Sequence, residues 1–317
     1  MSPAKKMPED IVTVFGASGR QGLAQVRQLV ACGYRVKAVT RMPDRYTAQN
    51  LTGVTAVFAD YNDASSLARA CSGSRGVFFT HPMFEDALHV NSHIERVAAA
   101  AKEAGIERLV YNTSSWVPDT PCGEPNYDGN LVRENIFAAS GTPVTIIRPV
   151  LFMDNLLTNW VKPGLIHEGL YRYPHKATMC ANWICLDDVA KFMIASLTRD
   201  DLAGERIVVG GPQALSPLDV AEALSQAMGK TIRYQYITPR KYGELMYDLF
   251  KHVSPLSRED YASALDAFYI YNNEQNGLPF QVDMAPVLQR IPIKLTLFSD
   301  WAIQQDWTLG KGGPSGG

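Results

Sequence analysis

Three glycines spaced to hold a phosphate carry the plainest chemistry in this chain. Gly16-Ala17-Ser18-Gly19-Arg20-Gln21-Gly22 follows the β-branched run Ile11–Phe15 and opens an apolar, helically periodic stretch. A strand that passes into a helix through such a loop presents free backbone N–H groups and the positive end of the helix dipole to an anion. Gly16 permits the tight turn, Gly19 keeps a Cβ out of the path of a pyrophosphate, and Gly22 lets helix and strand pack closely. Ser18, Arg20 and Gln21 lie in the same loop and can reach the same ligand. The residues suit a dinucleotide. Its identity is decided at the end of the second strand, where a carboxylate would accept hydrogen bonds from the adenosine ribose and repel a 2′-phosphate. That position reads Val39-Thr40-Arg41-Met42, with a guanidinium and no acid. Arg41, with Arg20 as a second positive group, therefore favours NADP(H) over NAD(H).

Other reactive side chains carry less. His89 and His93 stand four apart on one face of a predicted helix, yet no H-E-x-x-H motif or third ligand accompanies them, so no metal site is expected. Cys32, Cys71, Cys122, Cys180 and Cys185 contain no C-x-x-C pair and read as the reduced thiols of a cytoplasmic protein. Trp116, Trp160 and Trp183, with Phe84, Tyr171 and Tyr173, fall in segments expected to edge a cleft. They would suit a flat aromatic or hydrophobic small molecule, although core packing explains any one of them more simply. Lys and Arg total 30 against 32 Asp and Glu, a net charge of -2 with no long run of either sign. That balance argues against a nucleic-acid footprint or an anionic membrane surface as partner. The start, MSPAKKMPED, has no apolar targeting region, and no later stretch approaches the ~20 apolar residues of a membrane span.

Elements must exist to position these groups. With 317 residues, 46% of them hydrophobic, the chain can build one large domain or two closely joined ones. Its first half alternates short β-branched runs with helical patterns, which predicts a parallel sheet. Strands are expected near Ile11–Phe15, Arg35–Val39, Thr55–Phe58, Gly76–Thr80, Arg108–Asn112 and Val144–Arg148. Gly33, Asp63 and Gly105 stand where caps would bound the intervening helices. After Pro149 the pattern loosens, then a helix opening at Asp187–Asp188 and a strand at Arg206–Val209 predict a return to the sheet. The expected fold is α/β: a Rossmann-like, doubly wound parallel sheet with a smaller, discontinuous α/β substrate lobe. Residues 1–149 and 183–211 would form the dinucleotide domain, residues 150–182 and 212–308 the lobe, and residues 309–317 a flexible tail.

The loop GASGRQG, the Val39-Thr40-Arg41 strand end, Phe58-Ala59-Asp60-Tyr61-Asn62-Asp63, and Ile147-Arg148-Pro149 with Phe152-Met153-Asp154-Asn155-Leu156-Leu157 resemble the NmrA-like branch of atypical short-chain dehydrogenases. The resemblance covers nearly the whole chain, and the Arg-Pro segment with its Phe-x-x-Asn-Leu-type run is its more particular part. It implies NADP(H). The branch contains quinone, azo-dye and triphenylmethane reductases, isoflavone-reductase-like enzymes and cofactor-binding redox sensors, so it does not by itself imply a reaction. The resemblance puts Asp60 and Tyr61 near the adenine, Thr80, His81 and Pro82 along the cofactor towards the nicotinamide ribose, and Phe152 near the nicotinamide.

The catalytic positions depart from the superfamily pattern of a Ser or Thr after the fifth strand plus a Tyr-x-x-x-Lys pair. Ser114 matches the first. In the register that the resemblance implies, Asn126 stands where the tyrosine would be and Asn130 where the lysine would be. Asn130 can still hydrogen-bond a ribose but has no charge to lower a phenol's pKa. Tyr127, one residue displaced, is the nearby phenol that could donate a proton, with packing as its simpler role. Two functions of different class follow. One is an NADPH-dependent reductase of a flat, electrophilic quinone, imine, azo or enone compound, whose final proton comes from water. The other is a non-catalytic NADP(H)-sensing regulator that changes partner binding; a homodimer or a regulatory protein partner is compatible with either. Alcohol oxidation fits least, because it needs a general base.

Overall fold

A computed structural model describes residues 10–48, 50–81, 87–275 and 277–308 of the chain. In chain order the first half forms β1 (Ile11–Val14), α1 (Arg20–Ala31), β2 (Arg35–Thr40), β3 (Val54–Phe58), α2 (Ala64–Cys71), β4 (Gly76–Thr80), α3 (Ala87–Glu103), β5 (Arg108–Asn112), α4 (Pro125–Ala138) and β6 (Val144–Pro149). There follow β7 (Leu151–Phe152), β8 (Leu170–Tyr173), β9 (Ala181–Ile184), α5 (Leu186–Ser196), β10 (Arg206–Val209), β11 (Ala214–Leu215), α6 (Pro217–Met228) and β12 (Arg233–Tyr236). The remaining helices are α7 (Pro239–Phe250), α8 (Arg258–Glu274), α9 (Met284–Arg290) and α10 (Phe298–Ile303).

Seven strands make the main sheet, in the order β10-β6-β5-β4-β1-β2-β3, and every pairing in it is parallel. Strands buried on both faces read as unbroken apolar runs, and β5 and β6 are buried at every residue. The chain winds from β1 outward through β2 and β3, then crosses back to β4 and outward through β5, β6 and β10. The order therefore reverses between β1 and β4, where a crevice opens at the carboxyl ends of the strands. Caps bound the helices as their residue types require: Asp63 accepts the Ser66 N–H at the start of α2, and Gly33 and Gly105 take positive φ after α1 and α3.

Outside the main sheet a second core, that of the expected lobe, packs Tyr171, Tyr173, Tyr242 and Tyr269 with Leu224 and Phe298, and it takes in Trp183 from the stretch expected in the dinucleotide domain. That region carries two small sheets, β11-β9-β7 and β12-β8. Residues 282–295 pack with the main-sheet core instead, through Met284 and Ile291. Arg148, of the Arg-Pro segment, fastens α4 to the sheet: its Nε and Nη2 donate to the wholly buried Glu134 at 2.8 and 2.6 Å. A bidentate pair of this kind fixes orientation as well as charge, so α4 holds one face towards the end of β5.

Candidate functional site

The glycine loop is built as its sequence demands. Gly16 lies at φ +69°, a conformation that L side chains avoid, and a Cβ on Gly22 would stand 2.1 Å from the Gly16 carbonyl oxygen. Gly19 differs. Its backbone is extended (φ −78°, ψ 165°), and a Cβ there would meet only the Gly16 carbonyl, at 3.4 Å. The protein thus tolerates a side chain at Gly19 that would jut into the crevice. Helix α1 begins at Arg20 without a side-chain cap and without an acid in its first turn, so its N–H groups remain available to an anion.

Polar bonds stitch this loop to the ends of β4 and β5. Gln21 Nε2 donates to Ser114 Oγ at 3.0 Å, Asn112 Nδ2 donates to Gln21 Oε1 at 2.8 Å, and Gln25 Nε2 donates to Thr80 Oγ1 at 3.1 Å. The Ser114 N–H donates to Asn112 Oδ1 at 2.9 Å, which helps hold Ser114 at φ +62°, the one non-glycine residue with positive φ among those described. A residue kept in that region by its surroundings marks a place where geometry is over-determined.

Over the loop lies a cavity of about 450 Å³. Arg41, Asp60, Tyr61 and Asn62 border it on the β2–β3 side, while His81, Ser114, Phe152, Asn155, Trp160 and Phe250 border it towards β5 and the lobe. Arg41 is exposed at the strand end. Asp60 Oδ1 accepts the Asn62 N–H at 2.8 Å, and Tyr61 stacks on His93 with ring centroids 5.0 Å apart. An uncapped helix start, open space above Gly19 and a guanidinium at the second strand end fit a phosphorylated dinucleotide. The lobe side, walled by Phe152, Trp160 and Phe250, is aromatic where a second ligand could lie.

Gly16, Ser18, Gly19, Arg20, Gln21, Gly22, Arg41, Asp60, Tyr61, Thr80, His81, Ser114 and Phe152 all line this cavity. Pro82 and Phe84 lie outside the described residues. Three placements differ from expectation. Arg20 is tied to the lobe: its Nη1 donates to the Asp154 carbonyl at 2.7 Å and its guanidinium lies 5.9 Å from the centroid of Trp160. Burial lowers its pKa, opposed by Asp154. Tyr127 is not at the cleft but wholly buried between α4 and α8, where its hydroxyl donates to Asn272 Oδ1 at 2.8 Å. It faces inward because Glu124 caps α4 by accepting the Tyr127 N–H at 3.0 Å, which sets that residue on the packed side of the first turn. Burial raises its pKa. Asn130 is buried, with Nδ2 donating to Ser115 Oγ at 2.8 Å and Oδ1 accepting from Arg133 Nη1 at 2.6 Å.

Of the aromatic residues expected at the cleft, Trp160 lines it; Trp183, Tyr171 and Tyr173 are in the lobe core, and Trp116 packs edge-on to Tyr127. Phe250 and Arg133 were not anticipated. Phe250 ends an amphipathic helix with nothing in its local pattern to mark it, whereas Arg133 sits one helical turn past Asn130, where spacing marks it as a displaced cation. Asp154 also does more than its motif suggests: its Oδ2 accepts the Leu186 N–H at 3.0 Å at the start of α5, and burial raises its pKa. No group of three or more metal-ligating side chains occurs among the described residues. No helix among those residues is long and apolar enough to cross a membrane.

Comparison with known proteins agrees with this architecture. The chain is 33% identical over 229 residues to a (4-alkanoyl-5-oxo-2,5-dihydrofuran-3-yl)methyl phosphate reductase of Streptomyces griseus, covering 71% of this chain and 76% of that one. It is 30% identical over 229 residues to an NAD(P)H azoreductase of Xenophilus azovorans, covering 72% and 77% respectively. Two solved structures share the fold: the Citrobacter sp. triphenylmethane reductase complexed with NADP(H), and NmrA, a negative transcriptional regulator, in complex with NAD. Each has a TM-score of 0.73 at 18% identity, over 93% of this chain and 99% of the first, and 96% and 100% for the second. The sequence pattern of the NmrA-like family matches residues 8–302, and the chain belongs to that family.

Proposed function

We propose that this protein binds NADP(H) in the crevice above the glycine loop and reduces a flat, electrophilic small molecule of quinone, imine, azo or enone type. The observation that carries this reading is the composition of one cavity: an uncapped helix start and Arg41 at one side, and the apolar ring surfaces of Phe152, Trp160 and Phe250 at the other. The loop N–H groups and Gly19 would take the pyrophosphate, Arg41 the 2′-phosphate, and Asp60 and Tyr61 the adenosine end. When bound, the reduced nicotinamide supplies a hydride, that is, two electrons and a proton. Phe152 and Trp160 hold a flat acceptor in place and keep water from its faces, which lowers the barrier by fixing approach and orientation. Ser114, just past the end of β5, offers a hydroxyl at the cleft, but neither a lysine nor a phenol accompanies it from α4. An acceptor that is already electrophilic tolerates that loss, because the remaining proton can come from water after the hydride has arrived.

Asn126 and Asn130, which stand where the family pattern has tyrosine and lysine, favour a second reading, a cofactor-sensing regulator. NADPH titration followed by an acceptor panel separates the two. Oxidation of NADPH that depends on added quinone, azo compound or enone supports the reductase; tight NADPH binding without turnover across the panel supports the sensor.

A further inference from the structure

Beside the nicotinamide end of the proposed site lies a polar cluster that the reading above leaves idle. His81 directly follows β4 and borders the cleft, and its Nδ1 lies 2.9 Å from the hydroxyl of Tyr111, which is wholly buried on β5. Burial raises the Tyr111 pKa, so the phenol keeps its proton, and a buried O–H needs an acceptor. Nδ1 is the partner that the structure offers it. Burial, with the Arg133 charge as the lesser cause, pushes the His81 pKa down to about 3, so the ring is neutral. A neutral imidazole that accepts at Nδ1 carries its proton on Nε2. Tyr111 thereby fixes the tautomer and leaves an N–H donor on a residue at the cleft wall.

Arg133 adds the electrostatics. Its guanidinium folds back over Gly129, where a Cβ would lie 3.9 Å from Nη2, and Nη1 bonds Asn130. Its Nε is buried without a hydrogen-bond partner, and the groups acting on it are burial and Tyr111, with no carboxylate among them. A half-buried cation with no carboxylate bonded to it favours any negative charge that forms nearby. The positive charge missing at Asn130 thus enters from one helical turn further on.

We propose that His81 is a catalytic residue of this protein, donating Nε2–H to the oxygen of a neutral or anionic conjugated carbonyl acceptor, a quinone or enone, with Tyr111 and Arg133 as positioning residues. The inference rests on the reductase reading. As a hydride adds to the electrophilic carbon of the acceptor, a π-bond pair moves onto the carbonyl oxygen. The resulting oxyanion is held by Nε2–H and by the Arg133 potential, His81 keeps its proton, and water supplies the proton that completes the reduced product. A cationic triarylmethane dye has no such oxygen and meets positive potential, so it is the poorer acceptor.

The test uses menadione, cyclohexenone and malachite green as acceptors of NADPH-derived hydride, together with 15N NMR of histidine-labelled protein. Wild-type kcat/KM should be at least about tenfold higher for menadione than for malachite green, and Arg133→Gln should narrow that ratio. His81→Phe should lower kcat, measured at saturating NADPH, for menadione and cyclohexenone by roughly 100-fold, the typical loss of one oxyanion donor. The His81 resonances should show the Nε2–H tautomer in wild type and a mixture in Tyr111→Phe. An Nδ1–H tautomer in wild type overturns the proposal independently of turnover. Menadione turnover that survives His81→Phe within about threefold overturns it while leaving the reductase reading intact. A wild-type protein inert towards every acceptor overturns both.

Discussion

Replacing Tyr127 by phenylalanine removes one oxygen atom from a closed site, and the structure says what that should cost. Tyr127 and Asn272 are both inaccessible to solvent, and the phenol donates to Asn272 Oδ1 at 2.8 Å. The Asn272 amide nitrogen is already committed to the Phe268 carbonyl at 2.8 Å, so the side chain cannot turn to find another donor for its oxygen. Phenylalanine would keep the ring contacts with Trp116 and Phe268 and strand one buried acceptor. An acceptor left unpaired in such a place costs about 1–2 kcal/mol. For a chain of this size that is a fall in Tm of roughly 1.5–3 °C, measurable by calorimetry. Turnover should change by no more than a few-fold, because the hydroxyl does not reach the cleft, whereas a positioned acid contributes ~100-fold or more where one operates. A loss of turnover of ~100-fold with an unchanged Tm would refute the reasoning and make Tyr127 the proton donor.

Gly19→Val should leave the fold intact, since its extended backbone suits a branched residue, yet abolish NADPH binding by filling the crevice; unchanged affinity by calorimetric titration would count against the phosphate-loop assignment. Arg41→Asp should lower the ratio of NADPH to NADH affinity by roughly tenfold or more, about 1.4 kcal/mol, and a ratio that stays within about twofold would mean that Arg41 does not meet the 2′-phosphate. His175 is buried with an unpartnered Nε2, and burial holds its pKa down to about 3, below the ~6.5 of an unfolded chain. The unfolded chain therefore takes up a proton that the folded one refuses, so stability is lost as pH falls from about 6.5 towards 3. His175→Phe should recover on the order of 2.5 kcal/mol of what wild type loses between pH 7 and 4.5, read from urea unfolding at both pH values; an unchanged loss would contradict it.

Local chemistry made most of the main sheet legible. Gly76–Thr80, Arg108–Asn112 and Arg206–Val209 have the bounds that the sequence predicts: the first two are buried almost throughout and spell short apolar runs, and the third, at the sheet edge, still alternates more exposed residues with the buried Ile207 and Val209. The glycine loop was legible for the same reason, as each of its glycines answers a steric demand of one turn. The side-chain partners were not. Tyr127 and Asn272 are 145 positions apart, and only the packing of α4 on α8 brings them together. Arg20 could be placed in the loop, but its direction depends on the Asp154 carbonyl, 134 positions away. Phe250 reaches the cleft by the fold of the lobe alone. His81 and Tyr111 meet because β4 and β5 are neighbours in a register that pairs Thr80 with Asn112, a contact that sheet order predicts only once that order is known.

The most direct test follows a labelled hydrogen. NADPH carrying deuterium at both C4 positions of the nicotinamide is mixed with the protein and menadione or cyclohexenone, and the product is analysed by mass spectrometry. The account predicts stoichiometric oxidation of NADPH with one of the two deuterium atoms leaving the cofactor, and, for cyclohexenone, that deuterium retained on carbon in the reduced product. Tight NADPH binding with no acceptor-dependent oxidation and no labelled product would contradict it and leave the cofactor-sensing reading in its place.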